Sequence, residues 1–201
     1  MAETFSCALE LASLYAEPDE SSERVTQALR GEPLLVEERW DGWALVKTAY
    51  DYPGWVVADA LSPAAPGAWL PAPHDGDPVA EARAYLGAPY LWGGMSERGI
   101  DCSGLVHMAY RRLGRLVPRD ADQQEEAAER VAEPHYGDLV TYGRERATHI
   151  AFWLGEGRIL HAPGGRTVVE EAEPATLELR RRRFVRLPPA RLPRGGVARL
   201  S

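Results

Sequence analysis

The hydrophobic pattern changes character about a third of the way along the chain. Up to residue 62, short apolar runs alternate with turns rich in glycine, proline and acidic residues, a pattern typical of strands. Five strands are predicted there, and the Asp41-Gly42 pair indicates a tight hairpin turn between Trp40 and Trp43. Because so many short strands in so short a segment must curl to bury one core, we expect a small closed β-barrel over residues 1–62.

A linker and a second domain follow. Residues 63–76 show no periodicity and are rich in proline, alanine and glycine, which is typical of a semi-rigid linker. Beyond them, helical patterns come first and strand patterns afterwards. Helices are predicted over 77–87, 102–114 and 121–131, and strands over 138–142, 148–154, 158–162, 167–170 and 183–187. This order predicts an α+β domain with an antiparallel sheet over 77–201.

The composition and charge of the chain limit the classes of partner that it is expected to bind. The chain is 45% hydrophobic and 26% charged, as in soluble globular proteins, and its net charge of −7 argues against a nucleic-acid partner. No apolar run reaches transmembrane length, and the N-terminus has no signal-peptide pattern. We therefore expect no membrane partner and a cytoplasmic location, although a chain trimmed of its signal would look the same.

The two cysteines point to chemistry rather than to a disulfide framework, which would need more of them. Cys7 lies in a strand-like run and is interpreted as a buried structural residue. Cys102 opens a predicted helix, where unpaired N–H groups and a partial positive charge favour a thiolate. We hypothesise that Cys102 is a nucleophile; a disulfide with Cys7 would silence it.

A thiol nucleophile needs a base and a group that orients the base. Of the five histidines, His149 and His161 fall on two predicted strands joined by the turn Gly155-Glu156-Gly157, which brings them side by side. We interpret His149 as the base and His161 as its orienter. Each residue taken singly could be structural, and a zinc site of Cys102, His149 and His161 is an alternative, although its spacing fits no common structural zinc pattern. We expect no metal and no cofactor.

Four motifs in order resemble the NlpC/P60 cysteine peptidases, papain-like enzymes that cut bacterial cell-wall peptides. They are Tyr90-Leu91-Trp92-Gly93-Gly94, Asp101-Cys102-Ser103-Gly104-Leu105-Val106, Gly137-Asp138-Leu139-Val140, and His149 to Gly155 followed by Ile159-Leu160-His161-Ala162. The resemblance covers about residues 77–187. It implies Cys102 as nucleophile, His149 as general base and acid, His161 as the third polar residue and Tyr90 as a donor to the oxyanion. The alternative for Tyr90 is an aromatic residue packed beneath its loop.

The first domain resembles a bacterial SH3-like domain at Gly42-Trp43 and Gly54-Trp55. Both domains together resemble the γ-D-glutamyl-L-diamino-acid endopeptidases of the dipeptidyl-peptidase VI type, which act on muropeptides with a free N-terminal L-alanine. This resemblance implies a set of substrate-binding residues: Asp101, Ser103, Arg119, Asp120, Glu32 and Tyr52.

The expected function is therefore hydrolysis of the γ-D-Glu–diamino-acid bond in cell-wall peptide recycling. The expected partners are peptidoglycan-derived tripeptides and tetrapeptides with a free N-terminal L-Ala. Two alternatives stay open at this point. The chain could be a cell-wall-peptide binding module whose catalytic function has decayed, or a papain-like amidase or acyltransferase.

Overall fold

The computed structural model describes residues 3–63, 65 and 68–188. The chain divides into two compact units, and the division falls between Pro71 and Ala72. Each unit has its own sheet and its own core. Within the described residues, no helix has the length and apolar character needed to cross a membrane.

The first unit is built from strands. Seven of them form one antiparallel sheet: β1 (Glu3–Cys7), β2 (Leu11–Tyr15), β3 (Arg24–Leu29), β4 (Pro33–Trp40), β5 (Trp43–Thr48), β6 (Pro53–Val57) and β7 (Leu61–Ser62). A short 3-10 helix, Ala58–Ala60, precedes β7. The strand order is β3-β2-β6-β5-β4-β1-β7, and this curled sheet has the form of an SH3-like domain.

Alternation of apolar and polar residues along these strands builds the core of the first unit. Leu14, Leu34, Val46 and Val56 are fully buried within it. Cys7 is also buried there, which confirms its interpretation as a structural strand residue. Both cysteines of the chain are free thiols, so no disulfide removes the candidate nucleophile.

Over residues 72–188, the second unit contains four helices and a six-stranded antiparallel sheet. The helices are α1 (Pro78–Arg83), α2 (Cys102–Arg112), α3 (Ala121–Ala127) and α4 (Ala175–Glu178). A small hairpin of β8 (Met95–Ser96) and β9 (Gly99–Ile100) precedes α2. The sheet consists of β10 (Glu129–Val131), β11 (Leu139–Gly143), β12 (Ala147–Gly155), β13 (Arg158–His161), β14 (Val169–Ala172) and β15 (Arg181–Arg186), in the order β10-β15-β11-β12-β13-β14.

The α+β class predicted for this unit is confirmed, but two predicted helices are too long. The helix expected over 77–87 ends at Arg83 and is followed by turns. The helix expected over 121–131 ends at Ala127, because Ala128 has an extended backbone and the next residues enter β10. Arg130 of β10 pairs with Val185 of β15. Pairing with a strand more than fifty residues away decides the local structure here, and the polar local sequence does not reveal it.

The packing of α2 against the sheet places the cysteine helix over one particular strand. Helix α2 packs on β12, where the rings of Tyr110 and Phe152 stack with centroids 6.4 Å apart. All residues of α2 from Cys102 to Arg111 are buried. Helix α2 therefore lies against the strand that carries His149.

Candidate active site

Helix α2 begins at Cys102 because the preceding residue caps it. Asp101 has an extended backbone, and its carboxylate Oδ1 accepts the N–H of Gly104 at 2.6 Å, which is the geometry of an N-cap. The prediction that Cys102 opens a helix is thus confirmed. The side chain of Cys102 lies in a largely buried position, with 6% of the residue exposed.

The Asp101 carboxylate is also one half of a buried ion pair with Arg119. The guanidinium donates to Oδ1 at 3.0 Å and to Oδ2 at 2.7 Å, and the two side chains are only 7% and 1% exposed. Oδ2 also accepts the N–H of Gly93 at 2.8 Å, and Arg119 donates to the Gly94 carbonyl and to Ser103 Oγ. One carboxylate therefore joins the loop after Tyr90 to the first turn of α2.

The thiol of Cys102 is held in its neutral form by its surroundings. Burial, followed by the negative charge of Asp101, raises the pKa of Cys102 to about 12, while a backbone hydrogen bond at Ile150 and the charge of Arg119 oppose the rise. Burial and the charge of Asp101 therefore oppose the thiolate that the helix terminus favours. The Ile150 contact also places the sulfur beside the residue that follows His149.

His149 and His161 come together as predicted. Nε2 of His149 lies 2.8 Å from Nδ1 of His161, and the two rings are nearly perpendicular at 77°. Burial and the neighbouring His161 lower the pKa of His149 to about 3, with Asp101 opposing. Burial also lowers the pKa of His161. Both rings are therefore neutral, so each carries one proton and keeps one bare nitrogen that can accept another.

The direct hydrogen bond between the two imidazoles is not the arrangement of a metal site, in which an ion separates its ligands. In the part of the chain that the structure describes, no group of three or more His, Cys, Asp or Glu residues has the placement of a metal site. The zinc alternative considered for Cys102, His149 and His161 consequently lacks a ligand set among these residues.

The pair of histidines continues into two residues that sequence reasoning missed. Nε2 of His161 lies 2.9 Å from Oε1 of Glu171. Both carboxylate oxygens of Glu171 accept from the guanidinium of Arg166 at 3.0 Å. A continuous chain of hydrogen bonds thus runs from His149 through His161 and Glu171 to Arg166. Strand alternation would have indicated Glu171 once the register of β14 against β13 was known.

Tyr90 lies in the loop that the ion pair fixes. Its backbone N–H donates to the Arg166 carbonyl at 2.8 Å, and it forms an isolated bridge with Ile100. The side chain is half-buried, and burial, then the charges of Cys102 and Asp101, raise the pKa of Tyr90. Its hydroxyl therefore keeps its proton near Cys102, as an oxyanion donor must.

The other three predicted substrate residues lie in different units of the chain. Asp120 precedes α3 at its N-cap position and is partly buried. Glu32 of the first unit is buried, and its carboxylate accepts the N–H of Leu29 at 3.2 Å. Tyr52, also of the first unit, has its ring 6.4 Å from that of Tyr50. The substrate contacts expected of Asp120, Glu32 and Tyr52 stay predictions.

The polar groups of three predicted substrate residues are hydrogen-bonded to one another in this structure: Arg119, Ser103 and Asp101. Every contact described above for the guanidinium is to a protein acceptor, and Arg119 is 1% exposed. A direct contact between Arg119 and a substrate carboxylate would require this network to open. The network gives all three residues a structural part in the site, and their predicted substrate contacts stay predictions.

Comparison with known families identifies both units. Residues 87–184 match the NlpC/P60 family, and residues 14–61 match the family described as the bacterial dipeptidyl-peptidase SH3 domain. The chain therefore combines an NlpC/P60 domain with a bacterial SH3 domain, which confirms the resemblance carried by its motifs.

Similar proteins include two relatives named gamma-D-glutamyl-L-lysine dipeptidyl-peptidase. The one from Bacillus cereus is 34% identical over 107 residues, which are 50% of this chain and 32% of the relative. The one from Bacillus subtilis is 38% identical over 85 residues, or 39% of this chain and 29% of the relative. The aligned stretches thus span less than a third of either relative.

A crystal structure of an NlpC/P60 family protein from Bacillus cereus supports the fold. It has a TM-score of 0.55 and 24% identity, and the match covers 93% of this chain and 64% of that one. At this level of identity, the likeness concerns the fold alone.

The buried ion pair predicts a large loss of stability when its cation is removed. In Arg119→Met, the Asp101 carboxylate would stay buried without its partner, so we expect the free energy of unfolding of the second unit to fall by about 3–5 kcal/mol. The matched control is Arg112→Met, which removes a partly exposed ion pair between Arg112 of α2 and Glu81 of α1. This control is expected to lower the free energy of unfolding by less than about 1 kcal/mol. Equal losses in denaturant unfolding would contradict the account.

The close approach of two glycines gives a second prediction. A Cβ on Gly104 would lie 2.4 Å from the Gly94 carbonyl oxygen and 2.9 Å from Asp101 Oδ1. Because both oxygens are held, Gly104→Ala should push the Tyr90 loop away from α2 and cost about 1–3 kcal/mol. Gly164→Ala is the control, since its Cβ would meet no atom within 4 Å. Thermal unfolding checks this, and a Gly104→Ala protein as stable as the control would refute it.

Proposed function

We propose that this chain is a cysteine peptidase that hydrolyses the γ-D-Glu–diamino-acid bond of peptidoglycan-derived peptides with a free N-terminal L-Ala. The observation that carries the proposal is the hydrogen bond between His149, on the strand against which the Cys102 helix packs, and His161 on the neighbouring strand. A thiol, a base and an orienter are the parts that nucleophilic acyl transfer needs.

The first half of the reaction forms an acyl-enzyme. His149 takes the proton of the Cys102 thiol, and the sulfur attacks the γ-carbonyl carbon of the D-Glu residue. The carbonyl oxygen becomes an oxyanion, to which the Tyr90 hydroxyl donates a hydrogen bond. His149 then gives its proton to the nitrogen of the diamino acid, so the C–N bond breaks and an amine leaves. The product on the enzyme is a thioester between Cys102 and the L-Ala-γ-D-Glu group.

The second half returns the enzyme to its starting state. His149, neutral again, accepts a proton from a water molecule, which attacks the thioester carbonyl. The C–S bond breaks, the sulfur takes back the proton from His149, and L-Ala-γ-D-Glu leaves with a new carboxyl group. His161 supports both halves by holding the ring of His149 through Nε2. Neither half requires an oxidant, a reductant or a cofactor.

The substrate class is supported by the two kinds of domain and by the names of the relatives. The first unit matches a bacterial dipeptidyl-peptidase SH3 family, and two relatives of the chain are named for the γ-D-glutamyl-L-lysine linkage. Carboxylates suit an ammonium group, so Asp120 of the second unit is a candidate for holding the amine of L-Ala. A role in recycling of cell-wall peptides, with tripeptides and tetrapeptides as substrates, is part of this proposal.

Two other functions are open to this fold. A binding module that has lost its activity would have no reason to keep a protonated tyrosine, a thiol and a hydrogen-bonded histidine pair in one site, so the arrangement favours an enzyme. An amidase or acyltransferase would use the same Cys102 thioester. The two reactions differ in what takes the acyl group from the thioester: water in hydrolysis, and an amine in acyl transfer. Product analysis shows which of the two reacts.

Activity of cysteine variants tests the nucleophile. With L-Ala-γ-D-Glu-L-Lys as substrate, Cys102→Ala should release dipeptide at least about 10³-fold more slowly than the unmodified protein. Cys7→Ala is the matched control, because Cys7 is the other buried free thiol and lies in the first unit. We expect this control to keep its activity. Dipeptide release by Cys102→Ala at the rate of the unmodified protein, measured by mass spectrometry, would exclude Cys102 as the nucleophile.

The predicted grip on the substrate amine is tested with a second peptide. If carboxylates bind the L-Ala ammonium, an N-acetylated tripeptide should be cleaved at least about tenfold more slowly than the free one, because acetylation removes the charge. The measurement compares kcat/KM for the two peptides at one pH. Equal values would rule out recognition of the free amine while leaving the peptidase chemistry in place.

A further inference from the structure

The strand register places one carboxylate against the second histidine. In the β13–β14 pair, His161 lies opposite Val169, and Ile159 lies opposite Glu171. Because side chains alternate along a strand, His161 and Glu171 lie on the same face as diagonal neighbours. Glu170 points to the other face and pairs with Arg83 and Arg158. Only one of these two adjacent acidic residues therefore reaches His161.

Glu171 is held as an ionised group that can only accept hydrogen bonds. The guanidinium of Arg166 donates to both of its oxygens at 3.0 Å. These bonds, opposed by partial burial and assisted by His161, lower the pKa of Glu171. A carboxylate without a proton has no donor to offer, so the 2.9 Å contact with His161 fixes which partner carries the hydrogen.

This constraint passes from one imidazole to the next. Since Glu171 accepts, Nε2 of His161 must carry the proton, and neutral His161 then has a bare Nδ1. That Nδ1 lies 2.8 Å from Nε2 of His149 and can only accept from it. Nε2 of His149 therefore carries its proton, and Nδ1 of His149 is left as the bare, basic nitrogen.

We propose that Glu171 is a positioning residue that selects this tautomer in both histidines, so that Nδ1 of His149 is ready to receive the Cys102 proton. The inference rests on the proposed function for its catalytic meaning. In the opposite tautomer of His161, Nδ1–H would donate to His149, and the proton of His149 would sit on Nδ1. A ring that already carries a proton on Nδ1 cannot remove one from the thiol at that atom.

The same Arg166 ties this relay to the Tyr90 loop. Its backbone carbonyl accepts the N–H of Tyr90 at 2.8 Å, while its side chain holds Glu171. The ion pair is partly exposed, with Arg166 at 55% and Glu171 at 24%, so it adds little to stability. The ion pair instead orients the carboxylate, because a bidentate contact keeps one oxygen of Glu171 directed at His161.

The tautomers can be read directly by nitrogen NMR of the histidine rings in the full chain. Long-range proton–nitrogen spectra distinguish a protonated ring nitrogen from a bare one. In the unmodified protein at neutral pH, we expect both His161 and His149 to carry hydrogen on Nε2. Assignment uses the spectra of His149→Gln and His161→Gln. A His161 that carries its hydrogen on Nδ1 would overturn the proposal, whatever the protein's activity.

Replacement of the carboxylate is the second arm of the test. In Glu171→Leu, the acceptor is lost, so we expect the Nδ1–H form of His161 to gain population and the Nδ1–H form of His149 to follow it. Glu170→Leu is the matched control, since it removes the adjacent carboxylate on the opposite face. The control should leave both tautomers unchanged. Unchanged tautomers in Glu171→Leu, with the fold confirmed by the same spectra, would also overturn the proposal.

Kinetics add a readout that a purely structural role would not give. We expect kcat of Glu171→Leu to fall by between about 10-fold and 1,000-fold with KM changed less than about twofold, since a wrong tautomer affects the reaction and not binding. Glu170→Leu should keep its kcat. A protein that cleaves none of the peptides would defeat the proposed function, yet its ring tautomers would still decide the role of Glu171.

Discussion

The buried contact between Asp101 and Arg119 is the interaction on which the site depends. One carboxylate caps the cysteine helix, holds Gly93 and receives both ends of a guanidinium. Burying two charges is costly, and the cost is offset only when the lone pairs and donors all find partners. In this site the lone pairs and donors do find partners. A single residue, Asp101, therefore fixes the position of Cys102 relative to the Tyr90 loop. The carbonyl oxygen of Gly94 can approach the helix so closely because Gly104 has no Cβ.

The electrostatics of the site favour neutral groups until the reaction begins. Burial raises the pKa of Cys102 and lowers that of His149, so the pair holds one proton on sulfur and none on the bare imidazole nitrogen. Transfer of that proton creates a thiolate and an imidazolium side by side, and each then stabilises the other in a medium of low dielectric constant. The thiolate is thus formed by the base when it is needed. The helix terminus assists that step, but it does not ionise the thiol alone.

The sequence predicts those parts of the site that depend on local patterns. The start of α2 is readable because its cap, Asp101, and its stop, Gly114, lie within or next to the helix. The pairing of His149 with His161 is readable because one short turn joins their strands, and the register Phe152–Leu160 agrees with the predicted hairpin. The curled sheet of the first unit follows from its alternation and its turns.

The parts that the sequence does not reveal depend on long-range register and pairing. Glu170 and Glu171 are chemically the same, and a slip of one residue in β14 would exchange their faces. Nothing local distinguishes the one that reaches His161. The bond between Arg119 and Asp101 spans eighteen residues, and the motif resemblance directed Arg119 toward a substrate instead. Strand β10 was missed for the same reason, because its partner β15 lies far along the chain.

Trapping of the acyl-enzyme tests the central claim, that Cys102 is the nucleophile of a γ-D-glutamyl peptidase. The protein would be mixed with the γ-(para-nitrophenyl) ester of L-Ala-D-Glu, whose good leaving group lets the thioester accumulate. It would then be quenched in acid and analysed by intact mass and peptide mapping. We expect a mass increase of one L-Ala-γ-D-Glu acyl group, located on the peptide that contains Cys102. Release of nitrophenol by the protein with Cys102 unmodified throughout, or with the acyl group on another residue, would contradict it.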